Sequence, residues 1–288
     1  MGGADITLLV VWAGFAVAAC QVSLHLYKDL GVLVASQSFV MTLAALTSSQ
    51  LIRFGYDPAV GLLAAMAVGM GLGLLHAPLL LMVGPSLILV ITAVAQIVLS
   101  QFWLAIPSWT GGSGGMLVPK GDLVLELSSF GVLLCLGSWY IFRIAAGKAR
   151  LFDFACIRSL GTKAGALGVT SRRLLFVGFL LYGVTLGACG ATAVRLLGFL
   201  TPELFGLAWA LTTVLITVIA KESRFPLFTI VVLAGLYAGI RVGLRQLVMA
   251  SPAWSHGYDV LFPSALLVFV AVEAVRSRKR DCSETLKP

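Results

Sequence analysis

The amino-acid sequence predicts an all-α integral membrane protein, a polytopic helical bundle of about eight to ten transmembrane helices. Hydrophobic residues make up 59% of the 288 residues and charged residues only 11%, whereas soluble domains carry about 25% charged residues to hydrate their surface. The apolar runs are also continuous, as in LLAAMAVGMGLGLLHAPLLLM (62–82). Runs of that length suit a helix that crosses a bilayer, while a β-barrel strand would alternate over about ten residues.

Nine apolar segments have the length of a membrane span, and we treat the whole chain, 1–288, as a single transmembrane domain. The predicted spans are 6–26, 31–51, 59–81, 84–105, 126–146, 174–198, 203–220, 226–246 and 258–275. Turn residues separate several of them, at Tyr56-Asp57-Pro58, Gly84-Pro85, Thr201-Pro202, Phe225-Pro226 and Ser251-Pro252. No basic residue lies near Gly84-Pro85, so the segment 59–105 has a second interpretation as one interrupted element.

Basic residues concentrate in two places. The loop between spans five and six carries Arg143, Lys148, Arg150, Arg158, Lys163, Arg172 and Arg173, and the tail 276–288 carries Arg276, Arg278, Lys279, Arg280 and Lys287. Four spans separate these two clusters, so both lie on one side, which the positive-inside rule makes cytoplasmic. An odd number of spans then places the N-terminus and the glycine-rich loop SWTGGSGGMLVPKGD (108–122) outside.

Three predicted spans carry small residues at every fourth position, a spacing that lets helix backbones approach closely in lipid. The stripes are Gly61, Ala65, Gly69 and Gly73; Gly183, Gly187 and Ala191; and Gly235, Gly239 and Gly243. Either tight packing alone or a solute path lined by close-packed helices accounts for them.

The glycine-rich loop does not bind a nucleotide through a P-loop. That motif needs a Gly-Lys pair followed by Ser or Thr, but Lys120 follows Pro119 and precedes Gly121. One interpretation of the loop is a flexible connector between spans four and five.

The sequence also predicts no disulfide framework, metal site or nucleic-acid interface. The five cysteines and three histidines are scattered, so neither a disulfide framework nor a metal site is predicted. The net charge of +8 fits basic cytoplasmic loops facing anionic lipid, and no mixed aromatic and basic surface indicates nucleic-acid binding. Neutral polar residues deep in the spans, Gln37, Ser38 and Gln96, are candidates for a translocation path, with structural hydrogen bonds between helices as the alternative.

Three stretches resemble, in order, the branched-chain amino acid (LivM-like) and urea permease family of ABC importers. They are VASQSFVMTLAALTSSQL, then PSLILVITAVAQIVLSQFWLAIPSWTGGSGGM with its Thr-Gly-Gly loop, and then IRSLGTKAGALGVTSRRLLFVGFLLYGVTLGACGA. The chain departs from that family at Gln96, where Glu is common, and at 221–226, where a Gly-Gly-x-Gly stretch is usual. The resemblance covers roughly residues 30 to 200.

The resemblance implies a permease subunit that performs no chemistry and binds no cofactor, since ATP and Mg²⁺ are bound by partner subunits. It implies a second homologous permease subunit, two cytoplasmic ABC ATPase subunits and an extracytoplasmic solute-binding protein as partners, and the bacterial inner membrane as location, with a cytoplasmic C-terminus. The segment 147–173 would be the cytoplasmic loop that couples to the ATPases, through Arg158, Ala164, Leu167 and Gly168. Thr110, Gly111, Gly112 and Gly115 would lie at the outer mouth of the path.

The solute expected from the resemblance is a branched-chain or other amino acid, or urea or a short amide. The sugar or nucleoside branch of ABC permeases shares the architecture and is an alternative. A stand-alone secondary carrier and a polytopic membrane enzyme are the alternatives from other classes.

Overall fold

In the computed structural model, residues 3–83, 85–121 and 171–250 are described, and they fold into helices and one short two-stranded sheet. The long helices are α1 (Gly3–Leu30), α2 (Gln37–Arg53), α3 (Pro58–Val83), α4 (Pro85–Ala105), α6 (Ser171–Leu197), α7 (Leu207–Glu222) and α8 (Pro226–Ala250). Between α4 and α6 lie the short α5 (Pro107–Thr110), a 3₁₀ turn (Gly112–Gly114) and β1 (Met116–Leu117), and β2 (Phe199–Leu200) follows α6.

Five of the described helices contain a stretch long and apolar enough to cross a membrane. These stretches are Leu8–Lys28, Pro58–Val83, Leu87–Ala105, Leu175–Leu197 and Pro226–Gly243. The predicted all-α character is therefore confirmed for the described ranges. Helices α2 and α7 are not among the five: with 17 and 16 residues they reach only about 25 Å, less than the hydrocarbon thickness of a bilayer.

Turn residues set several helix starts as predicted. Helix α3 begins at Pro58, where the Asp57 Oδ1 atom accepts a hydrogen bond of 2.7 Å from the Ala59 N–H. Helix α8 begins at Pro226. Helix α3 ends at Val83 and helix α4 begins at Pro85, so the two are separate elements.

The tightest helix contact joins α3 to α6 through two of the predicted glycine stripes. A Cβ atom added at Gly69 would overlap the carbonyl oxygen of Gly183, and one added at Gly183 would overlap that of Gly69. Gly73 lies in the same way against the Phe179 carbonyl, and Gly187 against that of Ala65. The third stripe, in α8, differs, since an added Cβ at Gly235, Gly239 or Gly243 meets no described atom within 4 Å.

Two non-helical segments lie in the interior of the bundle. The first interior segment, 31–36, runs between α1 and α2, and Val32, Val34, Ala35 and Ser36 are buried in it. The second interior segment, 201–206, runs between β2 and α7, and its Leu204 and Phe205 side chains are buried. These segments replace the first residues of the predicted spans 31–51 and 203–220, and both following helices consequently start inside the bundle.

The predicted spans 126–146 and 258–275, the coupling loop 147–173 up to residue 170 and the basic tail 276–288 lie outside the described residues. The total number of spans stays a prediction. Cys20 and Cys189 fall within the described part, and both are free, buried thiols.

Candidate functional site

The start of α2 is a polar junction in the centre of the bundle. Four consecutive residues form hydrogen bonds to four different parts of the chain there. The Ala35 N–H donates to Thr92 Oγ1 of α4 (3.1 Å), and Ser36 Oγ shares a hydrogen bond with Tyr182 OH of α6 (3.0 Å). Gln37 Nε2 donates to Ser23 Oγ of α1 (2.8 Å), and Ser38 Oγ donates to the Gly206 carbonyl (3.1 Å). A buried backbone N–H group needs a hydrogen-bond partner. Thr92 provides one for the Ala35 N–H of the first interior segment, and the other three bonds are made by side chains.

The second interior segment is held by its carbonyl groups. Three consecutive carbonyl oxygens each accept a hydrogen bond from a different helix: Leu204 from Arg241 Nη2 of α8 (3.4 Å), Phe205 from Gln96 Nε2 of α4 (3.0 Å), and Gly206 from Ser38 Oγ of α2 (3.1 Å). We call Arg241, Gln96 and Ser38 the carbonyl pins. They fix the point at which α7 begins.

The N-termini of α2 and α7 are adjacent. Ser38 lies in the first turn of α2, and its hydroxyl bonds the carbonyl of Gly206, the residue that precedes Leu207 and caps α7. The amino end of a helix carries a partial positive charge and unpaired N–H groups. Two such ends at one place in the interior favour a negatively charged or strongly polar group nearby.

A cleft of about 300 Å³ opens beside the start of α7. Four parts of the chain line it: Ser100 and Leu104 of α4, Ser113 of the glycine-rich loop, Pro202, Glu203 and Gly206 of the second interior segment, and Leu207, Ala208 and Trp209 of α7. Glu203 is exposed, whereas Trp209 is 1% exposed and its indole Nε1 has no hydrogen-bond partner among the described residues. The cleft is therefore lined by an exposed carboxylate and by the amino end of a helix.

The glycine-rich loop forms one wall of this cleft and has a defined structure. The buried Thr110 hydroxyl donates to the Trp103 and Ile106 carbonyls at 2.6 and 2.8 Å, and Trp103 Nε1 donates to the Gly112 carbonyl at 3.1 Å. The Gln50 side-chain amide of α2 donates to the carbonyl of Trp109. These bonds connect the loop to α2 and α4, while its interpretation as a flexible connector stays a prediction.

Pairing of β1 with β2 ties the loop to the second interior segment. Met116 faces Leu200 and Leu117 faces Phe199 in antiparallel register. Gly111, Gly112 and Gly115 have φ values of 80°, 61° and 71°, in the left-handed region that residues with a Cβ atom rarely adopt. The three predicted outer-mouth glycines are thus required by the local backbone.

Replacing Gly115 by Ala is expected to loosen this pairing. A Cβ atom there would overlap the Leu200 carbonyl oxygen, and the positive φ adds strain of about 1–3 kcal/mol. Because about 1.4 kcal/mol is tenfold in an equilibrium, we expect the initial rate of tryptic cleavage after the exposed Lys120 to rise at least about tenfold. Gly114→Ala is the matched control, since its Cβ would meet nothing within 4 Å, and equal cleavage of the two variants would contradict the assignment.

The three candidates for a translocation path are buried and hydrogen-bonded. Gln37, Ser38 and Gln96 are each 0% exposed, and none of them lines the cleft. The side-chain oxygens of Gln37 and Gln96 accept no hydrogen bond from a described residue. The structure thus brings Ser38 and Gln96 together on one backbone segment, while their place on a solute path stays a prediction.

Sequence reasoning missed Glu203, Trp209 and Arg241 as site residues. Glu203 follows the predicted break at Thr201-Pro202, and a carboxylate beside a break in an apolar segment was a usable signal. No signal in the sequence joins Arg241 to Leu204, because their contact depends on how α8 packs. Ala164, Leu167, Gly168 and Arg158 of the predicted coupling loop lie outside the described residues.

Comparison of the chain with models of protein families, with curated proteins and with solved structures found no match.

Proposed function

We propose that the chain is an integral membrane protein and the permease subunit of an ATP-driven ABC importer of the bacterial inner membrane. Its solute would be a branched-chain or other amino acid, or urea or a short amide. The observation that carries the proposal is the convergence of the α2 and α7 N-termini at a hydrogen bond of 3.1 Å between Ser38 and Gly206. Interrupted helices that start at the bilayer midplane are a common way for transporters to build a solute site.

The cleft supports a zwitterionic or amide-bearing solute. The amino end of α7 suits a carboxylate or a carbonyl oxygen, and the exposed Glu203 carboxylate at the rim suits an ammonium or amide N–H group. Because the cleft is partly open and lined by both polar and apolar side chains, we infer weak, transient contact with the solute, as passage requires.

The partners follow from the resemblance of the 157–191 stretch to the coupling loop and following helix of these permeases. We propose a complex with two cytoplasmic ATPase subunits, in which the segment 147–173 docks on an ATPase and a second permease subunit completes the path. On this proposal the glycine-rich loop, on the outer side, receives the solute from a binding protein.

Reconstitution tests the proposal. The chain purified with its genomic neighbours is expected to show ATP hydrolysis that rises when L-leucine or urea is added with the binding protein, and Arg158→Glu is expected to abolish that rise because it places an anion where the docking loop has a cation. Arg278→Glu, the same change in the basic tail and outside the proposed docking segment, is the control. Uptake by the purified chain alone would instead favour a stand-alone carrier.

A further inference from the structure

Arg241 joins three elements at the edge of the second interior segment. Its guanidinium carbon lies 3.7 Å from the centroid of the Trp12 ring of α1. One guanidinium nitrogen, Nη1, donates to the Tyr237 hydroxyl at 2.9 Å, and the other, Nη2, donates to the Leu204 carbonyl at 3.4 Å. A cation inside a stretch apolar enough to span a membrane, Pro226–Gly243, is costly, so packing alone does not account for an arginine there.

Arg241 differs from the other two carbonyl pins. Ser38 and Gln96 are neutral and fully buried, with bonds of 3.1 and 3.0 Å to their carbonyls. Arg241 is half-buried, and its bond to Leu204 is the longest of the three. By length, the hydrogen bond from Arg241 is therefore the weakest of the three that hold the second interior segment.

An aromatic chain connects Arg241 to the cleft. Beneath the guanidinium, the Trp12 ring meets the Phe205 ring edge-on at 6.4 Å between centroids, and Phe205 meets Trp209 at 5.5 Å. Trp209 lines the cleft. The guanidinium thus holds both the backbone of the segment, through Leu204, and the ring that packs behind the cleft wall, through Trp12.

We propose that Arg241 is a positioning residue that fixes the second interior segment and thereby sets the affinity of the cleft for its solute. Only a guanidinium supplies a flat face for Trp12 and a fork of donors for Tyr237 and Leu204 at once. The structural half of this proposal stands on the contacts above, and the half that concerns affinity rests on the proposed transport function.

Amide hydrogen exchange tests the structural half without any ligand. The Leu204 and Gly206 N–H groups bond the Thr201 and Glu203 carbonyls at 3.2 and 3.1 Å, and we expect Arg241→Met to speed their exchange at least about tenfold by local opening. Arg241→Lys, which keeps the charge but not the fork, should fall between this variant and the wild type. Faster exchange that extends equally through α3 and α6, or no change at 201–206, overturns the proposal.

Two further variants keep this measurement decisive. Arg53→Met, an exposed arginine at the end of α2, is the control and should leave exchange at 201–206 unchanged. If Arg241→Met does not fold, Tyr237→Phe removes only the hydroxyl that orients the guanidinium, and exchange at 201–206 should still rise. Unchanged exchange in a folded Tyr237→Phe variant then counts against the proposal.

Kinetics test the half that concerns affinity, with L-leucine as the probe and urea in a second series. In the reconstituted complex, Arg241→Met should raise the half-saturating solute concentration about fivefold or more and leave the maximal rate of ATP hydrolysis within about twofold, because it loosens binding and not coupling. An equal loss of maximal rate would indicate a merely structural role. A wild-type complex that responds to neither solute contradicts the proposed function and the affinity role, while hydrogen exchange still decides the positioning role.

Discussion

Substituting valine for Gly69 is expected to separate α3 from α6 and to destabilise the protein. The Cβ atom would overlap the carbonyl oxygen of Gly183 and lie 3.0 Å from the Gly187 Cα atom, both of them backbone groups. Backbone cannot rotate away as a side chain can, so the two helices must move apart. Forcing extra atoms into packed interiors costs about 1–3 kcal/mol and occasionally more, and we expect the upper end here.

Gly71→Val is the matched control for this experiment. Gly71 belongs to the same helix and is exposed, and an added Cβ would meet nothing within 4 Å. Both variants bear the same change in helix propensity, so their difference isolates the contact between the helices. For a chain of this length, the midpoint of thermal unfolding shifts by roughly 2–4 °C per kcal/mol. A loss of about 3 kcal/mol should therefore separate the midpoints of the two variants in detergent by about 6–12 °C. Coincident unfolding curves would refute the close contact.

Substitution of Gln96 by Met is expected to release the second interior segment from α4. Methionine fills a similar volume but donates no hydrogen bond, so the Phe205 carbonyl loses the bond of 3.0 Å that it receives from Gln96. A buried carbonyl left without a partner costs about 1–3 kcal/mol. Because the bond fixes the start of α7, local opening at 201–206 should rise together with this loss of stability.

Gln101→Met is the corresponding control, since Gln101 is exposed on the same helix. Thermal unfolding measures the loss of stability, and hydrogen exchange at 201–206 measures the local opening. The expected result is a lowered midpoint and faster exchange for Gln96→Met alone. If Gln101→Met has the same effect, the hydrogen bond is not what holds the segment.

Much of this architecture is predictable from local signals in the sequence. Pro58 and Pro226 lie at helix starts because proline fixes φ and needs no donor there. Small residues at every fourth position single out Gly69 and Gly183 as sites of close helix approach. The pairing of these two stripes with each other is not predictable, since the same spacing in α8 meets no described neighbour.

The first interior segment illustrates what hydropathy cannot detect. GVLVAS, 31–36, is apolar and buried, so its composition is the same whether the backbone is helical or extended. The distinction comes from partners far away in sequence that are in place only after the helices have packed: Thr92 binds the Ala35 backbone N–H, and Tyr182 binds the Ser36 side chain. Likewise Gln37, Ser38 and Gln96 were recognisable as buried polar residues, but their common role in fixing α2 and α7 depends on tertiary contacts.

The two-stranded sheet has a mechanical consequence. Paired strands resist sliding because the hydrogen bonds between them must break together. A displacement of the loop at Met116 therefore also displaces Leu200, which is paired with it. Leu200 is joined by only the second interior segment to the first turn of α7. A ligand or protein that displaces the glycine-rich loop is therefore expected to displace the start of α7, inside the bundle, as well.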